Sequence, residues 1–143
     1  SHWAQDWWWD KSHCDGYLFF NSHSAIFDVT VVNPCAQTYI VAAQHPLGAA
    51  TASEAKKTDI YGARCRGQGF QFYPVAIECF GALGVRCRDL VDKIDEEARM
   101  NGVVKINGFR VKTYLLKAIS FSLQQGNALL MAHGSIRSRK LIK

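Results

Sequence analysis

The first third of the chain contains two short runs of apolar, aromatic and β-branched residues, which are typical of β-strands. Two apolar runs, near residues 15–20 and 25–32, are separated by the turn-prone residues Asn21 to Ser24, which predicts a hairpin. In the second run the even positions, including Asp28, share one face, and the odd positions share the other. The acidic Asp28 therefore stands inside an apolar strand.

Residues 70–78 form a third aromatic and aliphatic run, which predicts another strand. Pro74 lies within it and indicates an edge position or a bulge, because proline has no N–H to donate to a neighbouring strand. Glu78 stands at its end, directly before a glycine-containing turn.

Three segments have helical character. Residues 48–61 are rich in Ala, Glu and Lys, with Thr51 or Ser53 as a cap and Gly62 as a terminator. A basic, glycine-rich loop is expected at 64–69. Residues 86–99 and 109–132 carry apolar stripes at helical spacing, and Gly126 is a point where the last helix could break or kink.

These elements predict a single α/β domain over residues 1–143, with a central mixed sheet flanked by helices. We expect residues 1–12 to form an N-terminal extension, part of which could derive from an expression tag, and residues 133–143 a basic tail. The extension carries Trp3, Trp7, Trp8 and Trp9. Two interpretations of these indoles are open, stacking on bases and docking on the domain's own surface, the second being at least twice as common.

Composition narrows the class of partner. The 143 residues include 17 Lys and Arg against 12 Asp and Glu, for a net charge of +5, which favours a polyanionic partner. No apolar run is long enough to span a bilayer, and no signal peptide is visible, so we expect a soluble intracellular protein. The five cysteines show no C-x-x-C pair, which favours reduced thiols over a zinc site.

Three acidic residues stand where strands should meet, namely Asp15, Asp28 and Glu78. Buried carboxylates are costly unless they are paired or bind metal, and Mg²⁺ is held by one or two carboxylates together with waters and phosphate. Lys57 is the candidate lysine for orienting water or stabilising charge. Glu54 and Tyr61 lie at helical spacing on its face of the predicted helix.

The order of these motifs resembles a known family. Asp15 and Asp28 are separated by twelve residues and are followed by the helical stretch 54–62 and by the stretch 74–81. This arrangement is similar to the restriction-like endonuclease domain, of the PD-(D/E)xK type, of site-specific non-LTR retrotransposons, whose fold is in turn similar to that of archaeal Holliday-junction resolvases. The resemblance covers roughly residues 14–90.

The resemblance implies a PD-(D/E)xK core with a C-terminal helical extension, and a DNA-nicking activity that depends on Mg²⁺ or Mn²⁺. It implies Asp15 and Asp28 as metal ligands, Lys57 as the catalytic lysine and Glu78 as a further acid. A retroelement origin implies nuclear localisation and a reverse transcriptase region as partner. The chain departs from the pattern at Cys14, where the family has proline, and at Thr30, where the generic motif has lysine, so that Lys56 is an alternative to Lys57.

Each of these residues also has an ordinary structural interpretation. Asp15 could be a turn residue, Asp28 a satisfied structural carboxylate and Glu78 an exposed strand end, while lysines on an Ala-rich helix usually face solvent. Four arginines near the predicted site could contact the phosphates of DNA or RNA or could simply be solvated, namely Arg64, Arg66, Arg86 and Arg88.

The histidines share no spacing and receive no catalytic role, although His13 and His23 flank the predicted site in sequence. Two functions besides metal-dependent cleavage remain open. One is a nuclease-derived module that binds nucleic acid or protein without cutting. The other is a dimeric resolvase that reads branched DNA.

Overall fold

The computed structural model describes the backbone of residues 14–141 and the side chains of residues 14–133. A three-stranded sheet lies at its centre, in the order β1 (Gly16–Phe19), β2 (Ser24–Val32), β3 (Phe70–Glu78). The first two strands pair antiparallel through a hairpin, and β2 and β3 pair parallel. The small mixed sheet predicted from the sequence is therefore confirmed.

Three α-helices pack on this sheet. They are α1 (Gly48–Gly67), α2 (Val85–Met100) and α3 (Val111–Leu141). A 3-10 turn (Ala42–Gln44) precedes α1, and a two-stranded hairpin, β4 (Lys105–Ile106) with β5 (Phe109–Arg110), connects α2 to α3. None of the described helices has the length and apolarity needed to cross a membrane.

The helix ends differ from the sequence-based predictions in physically clear ways. Gly62 does not end α1, because it is buried in the packed face of the helix; the chain leaves the helix at Gly67 and reaches positive φ only at Gly69. Residues 64–67 are consequently helical, not part of a loop. Gly126 does not break α3, because the roughly 1 kcal/mol penalty of a helical glycine is small against a helix of this length. The hairpin at residues 105–110 was not predicted.

Helices cover both faces of the sheet. The face with Ile26 and Phe72 packs against Cys65 and Tyr61 of α1. The opposite face, with Val75 and Ile77, packs against α2 and α3. The alternation of β2 predicted from the sequence is thus confirmed, and Asp28 lies on the face beneath α1.

Pro74 lies in an edge strand, as predicted, and the outer edge of β3 is covered by other groups. Gly84 N–H donates to Ala76 O, and Glu78 N–H donates to Ala82 O. The Arg86 guanidinium donates to Phe72 O and lies 4.6 Å from the Tyr73 ring. Pro74 sits between these contacts, where it has no N–H to leave unpaired.

Candidate functional site

The centre of the candidate site is an ion pair between the sheet and α1. Asp28 lies in the middle of β2 and is only 6% exposed. Nζ of Lys57, on α1, lies 2.7 Å from Oδ2 of Asp28. This oxygen is buried and otherwise has no hydrogen bond among the described residues. The two residues are 29 positions apart in sequence, and the crossover from β2 to α1 brings them together.

Asp15 directly precedes β1 and is hydrogen-bonded to both sequence neighbours of Asp28. Its N–H donates to Phe27 O, and its Oδ2 accepts from the N–H of Val29. The two bonds fix Asp15 to the residues on either side of Asp28. Because β1 begins only at Gly16, the Asp15 side chain supplies the acceptor that a longer β1 backbone would have offered to β2. The structure therefore brings Asp15, Asp28 and Lys57 together, as the sequence analysis predicted.

Lys57 is a cation in this setting. Its hydrogen bond to the Asp28 carboxylate raises its pKa, and the charges of Asp28, Tyr61 and Asp15 raise it further, against an opposing effect of burial. Nζ also lies 5.6 Å from the centre of the Tyr61 ring. A lysine with a raised pKa cannot accept a proton from water near neutral pH; it can stabilise negative charge.

Asp28 differs from the other buried acids in the described part of the chain, which are Glu54, Asp95 and Glu97. Each of those three accepts a backbone N–H from another element, donated by Arg86, Lys112 and Asn21 respectively. Asp95 and Glu97 also have basic side chains within 4 Å. These acids complete backbone hydrogen bonding, as buried polar groups commonly do, whereas Oδ2 of Asp28 is held by the Lys57 ammonium alone among the described residues.

Glu78 lies away from this cluster. It pairs with Val32, four residue pairs along the ladder from Asp28 and Pro74, which is about 13 Å at the usual rise of a strand. Its Oε1 accepts from Ala50 N–H at 3.4 Å, in the first turn of α1, where an anion is favoured. The structure gives Glu78 the geometry of a helix cap and does not place it with the other predicted catalytic residues.

Glu54 and Tyr61 were both predicted to share a helix face with Lys57, but in the fold they contact different elements. Tyr61 is beside Lys57 and packs on Phe72. Glu54 points to the start of α2, where its Oε1 accepts from Arg86 N–H at 3.2 Å, and burial raises its pKa. Glu54 thus serves as a cap for α2. The neighbouring Lys56, the alternative catalytic lysine, is exposed, and the ion pair to Asp28 is made by Lys57.

The four arginines predicted to contact nucleic acid occupy different places. Arg64 and Arg66 are exposed in the last two turns of α1, beyond Lys57 on the same helix. Arg88 is exposed in the first turn of α2. Arg86 is half-buried and bonded to Phe72 O and Asp89. A contact with phosphate remains a prediction for all four.

His23 lies at the turn between β1 and β2, where its Nδ1 is 3.0 Å from Ser22 Oγ and its ring packs on Phe20. This turn is at the opposite end of β1 from Asp15, so His23 does not flank the site. His13, the tryptophans of the N-terminal extension and the basic tail beyond His133 lie outside the residues whose side chains are described.

The two aspartates provide a donor set that suits a hard divalent cation. Mg²⁺ takes oxygen ligands, and one or two carboxylates suffice when water and phosphate complete its shell. The carboxylate of Asp28, whose Oδ2 is paired with Lys57, and the carboxylate of Asp15 fit that description. Within residues 14–133 no cluster of three or more His, Cys, Asp or Glu is suited to hold a metal, so most of the shell would come from water and substrate.

Comparisons of the chain with protein-family models, with characterised proteins and with solved structures find no match. The site is therefore interpreted from its own geometry. The sequence indicated Asp15, Asp28, Lys57 and Tyr61; the capping acids Asp95 and Glu97 were not singled out, because nothing in an amphipathic helix distinguishes a buried acid from an exposed one.

Proposed function

We propose that this chain is a metal-dependent endonuclease domain of the restriction-like type, which hydrolyses a phosphodiester bond of DNA. The observation that carries the proposal is that Asp15, Asp28 and Lys57 lie together where the start of β1, the middle of β2 and the middle of α1 meet. A buried carboxylate, a second carboxylate fixed beside it and a protonated lysine are groups that can serve metal-assisted phosphodiester hydrolysis.

In this proposal Asp15 and Asp28 hold Mg²⁺ or Mn²⁺, which when bound supplies positive charge to a phosphoryl oxygen and lowers the pKa of water. Lys57 contributes its ammonium as the negative charge on the phosphate grows. It cannot serve as the general base, because its pKa is raised by Asp28. The Tyr61 ring, whose centre lies 5.6 Å from Nζ of Lys57, helps to position the lysine. Glu78 has no part in the reaction.

A second function is favoured by the same ion pair. Lys57 already neutralises Asp28, and only two carboxylates are present at the site among the described residues. A domain whose lysine serves to satisfy a buried aspartate can bind nucleic acid through Arg64 and Arg66 without cutting it. A nuclease-derived binding module is therefore the alternative that an experiment has to distinguish from the enzyme.

The test is nicking of supercoiled plasmid with no metal, with Mg²⁺ and with Mn²⁺. We expect metal-dependent nicking by the native chain and a loss of about 100-fold or more in Asp28→Asn, since removal of one group that stabilises transition-state charge costs on the order of 10²–10³-fold. The matched control is Asp59→Asn. Asp59 is exposed on the same helix as Lys57 and should be dispensable.

Binding of a labelled duplex, measured in parallel without metal, distinguishes the two functions. Retained binding by the native chain without nicking in either metal would reject the enzyme and support the binding module. Equal nicking by the native chain and Asp28→Asn would reject the site. Because binding to the DNA backbone releases counterions, affinity in both cases should fall steeply with salt.

A further inference from the structure

An apolar pocket lies on the sheet face opposite the candidate site. Its volume is about 500 Å³, and residues of all three strands, of α2 and of α3 line it. Val29 and Val31 of β2 form one side, and Leu115, Ile119 and Leu123 of α3 are among those on the other. Packed layers in protein interiors rarely leave a space of this size, so the pocket can accept a further apolar group.

The pocket opens where β2 loses its neighbour. β1 pairs with β2 only from Ser24 to Phe27, and beyond it Val29 is 42% and Val31 is 54% exposed. Two β-branched apolar side chains in the central strand of a sheet are ordinarily covered. The open side of the pocket is therefore the side from which the chain enters β1.

We propose that the tryptophan-rich segment before Cys14 folds back into this pocket and completes the core of the domain. The segment comprises 13 residues, which include Trp7, Trp8 and Trp9. The first anchored backbone group after it is Asp15 N–H, bonded to Phe27 O at the edge of β2. Four residues separate Trp9 from Cys14, so the five Cα-to-Cα steps between them can span up to about 17 Å.

The chemistry of the pocket favours indoles over the other candidates. None of the described residues that line it is charged, which disfavours nucleic acid, since nucleic acid is bound chiefly through basic groups. Each tryptophan side chain can bury roughly 150–250 Å², and the apolar lining of the pocket suits such a side chain. A segment of the same chain also arrives at high effective concentration, because it is tethered a few residues away.

Tryptophan fluorescence tests the proposal directly, because all four tryptophans of the chain lie in residues 1–13. In the native full-length chain we expect emission at shorter wavelength than in the urea-unfolded chain. Acrylamide quenching should be roughly twofold or more weaker in the native chain, as for buried aromatic rings. Neither quantity should change on dilution.

The variant that tests the pocket is Val31→Asp, which places a charge at its rim. We expect the emission and the acrylamide quenching to move towards those of the unfolded chain. The matched control is Val104→Asp, since Val104 is 58% exposed and lies in the loop before β4. Far-UV circular dichroism checks that both variants fold, and both substitutions are at exposed positions.

Three results would overturn the proposal. The first is native emission and quenching equal to those of the unfolded chain, which would show solvated indoles and needs no variant. The second is an equal response of Val31→Asp and Val104→Asp. The third is a blue-shifted emission that disappears on dilution, which would show that a second copy of the chain covers the tryptophans.

Discussion

The pairing of Lys57 with Asp28 depends on one lysine at one position of a helix. An ion pair between a buried and a half-exposed group contributes only where geometry compensates for desolvation, and at 2.7 Å the geometry is close. Removing the lysine would leave the Asp28 carboxylate buried with nothing to balance its charge. The same pair thus governs the stability of the sheet face and the electrostatics of the site.

We predict that Lys57→Met lowers the free energy of unfolding by about 1–3 kcal/mol, below the 3–5 kcal/mol of a fully buried pair, because the lysine is 30% exposed. The double variant Asp28→Asn with Lys57→Met should lose less than the sum of the single changes. Urea unfolding measures all four proteins. Strictly additive losses would show that the pair makes no net interaction.

This contribution also has a defined pH range. The pKa of Lys57 is raised in the folded chain, so the lysine holds its proton more tightly when folded than when unfolded. Its stabilising effect is therefore fully present below the ordinary lysine pKa and is lost as the pH rises through the raised value. Near neutral pH the pair is intact.

The fold favours the charged form of Lys57 but disfavours the charged form of Glu54. Burial raises the pKa of its carboxyl above the ordinary value of 4.5, so the folded chain favours the protonated form. Stability from this group is complete below that value and falls as the pH rises through the raised pKa. We predict that Glu54→Gln, which keeps an acceptor for Arg86 N–H, gains stability relative to the native chain between pH 4 and pH 7.

Urea midpoints of the native chain and Glu54→Gln at several pH values measure this difference. The paired control is Glu96→Gln, since Glu96 is exposed on α2. A stability difference between Glu54→Gln and the native chain that stays constant with pH would contradict the prediction.

At the scale of elements, each helix begins on a carboxylate supplied by another part of the fold. Glu78 of β3 meets α1 at Ala50, Glu54 of α1 meets α2 at Arg86, and Asp95 of α2 meets α3 at Lys112. Neither α1 nor α2 has a side-chain cap of its own. Thr51 and Ser53, the caps predicted from sequence, lie inside α1, which starts after Leu47 in a left-handed conformation.

Gly84 makes the second of these junctions possible. A Cβ at this residue would lie 1.9 Å from Glu54 Oε1 and 2.9 Å from Ala76 O. We predict that Gly84→Ala destabilises the chain by about 1–3 kcal/mol through overpacking. Gly67→Ala is the matched control, because nothing lies within 4 Å of a Cβ there and alanine favours a helix by up to about 1 kcal/mol.

Chemical denaturation of the two glycine variants, with far-UV circular dichroism as the signal, measures both effects. If Gly84→Ala and Gly67→Ala shift the unfolding midpoint alike, the close approach of α1 to the start of α2 has no energetic weight.

The same elements show which features a sequence can reveal. Apolar and aromatic runs predicted β2 and β3, and the two-residue period of a strand predicted the face on which Asp28 lies, because both are local properties of the sequence. It could not separate Asp28 from Glu78. Both are acids in or at the end of an apolar strand, and only the tertiary position of α1 makes one a partner of Lys57 and the other a helix cap.

At the scale of the whole molecule, three strands with helices on both faces make a small domain with two cores. Ile26 and Phe72 belong to the core under α1, whereas Val75 and Ile77 belong to the core under α2 and α3. The mixed α/β class followed from the order of strands and helices in the sequence. The apolar pocket could not be predicted from the sequence, because its size depends on how α3 lies across the sheet.

The parallel pairing of β2 with β3 also sets an order of events during synthesis. The β1–β2 hairpin is local and can form early, whereas Asp28 must wait for residue 74 as its neighbour in the sheet. At roughly 5–20 residues per second on the ribosome, the 29 residues from Asp28 to Lys57 take about 1.5–6 s. For that interval a nascent chain carries its two acids without its lysine, so whatever chemistry the site performs begins only after the crossover has closed.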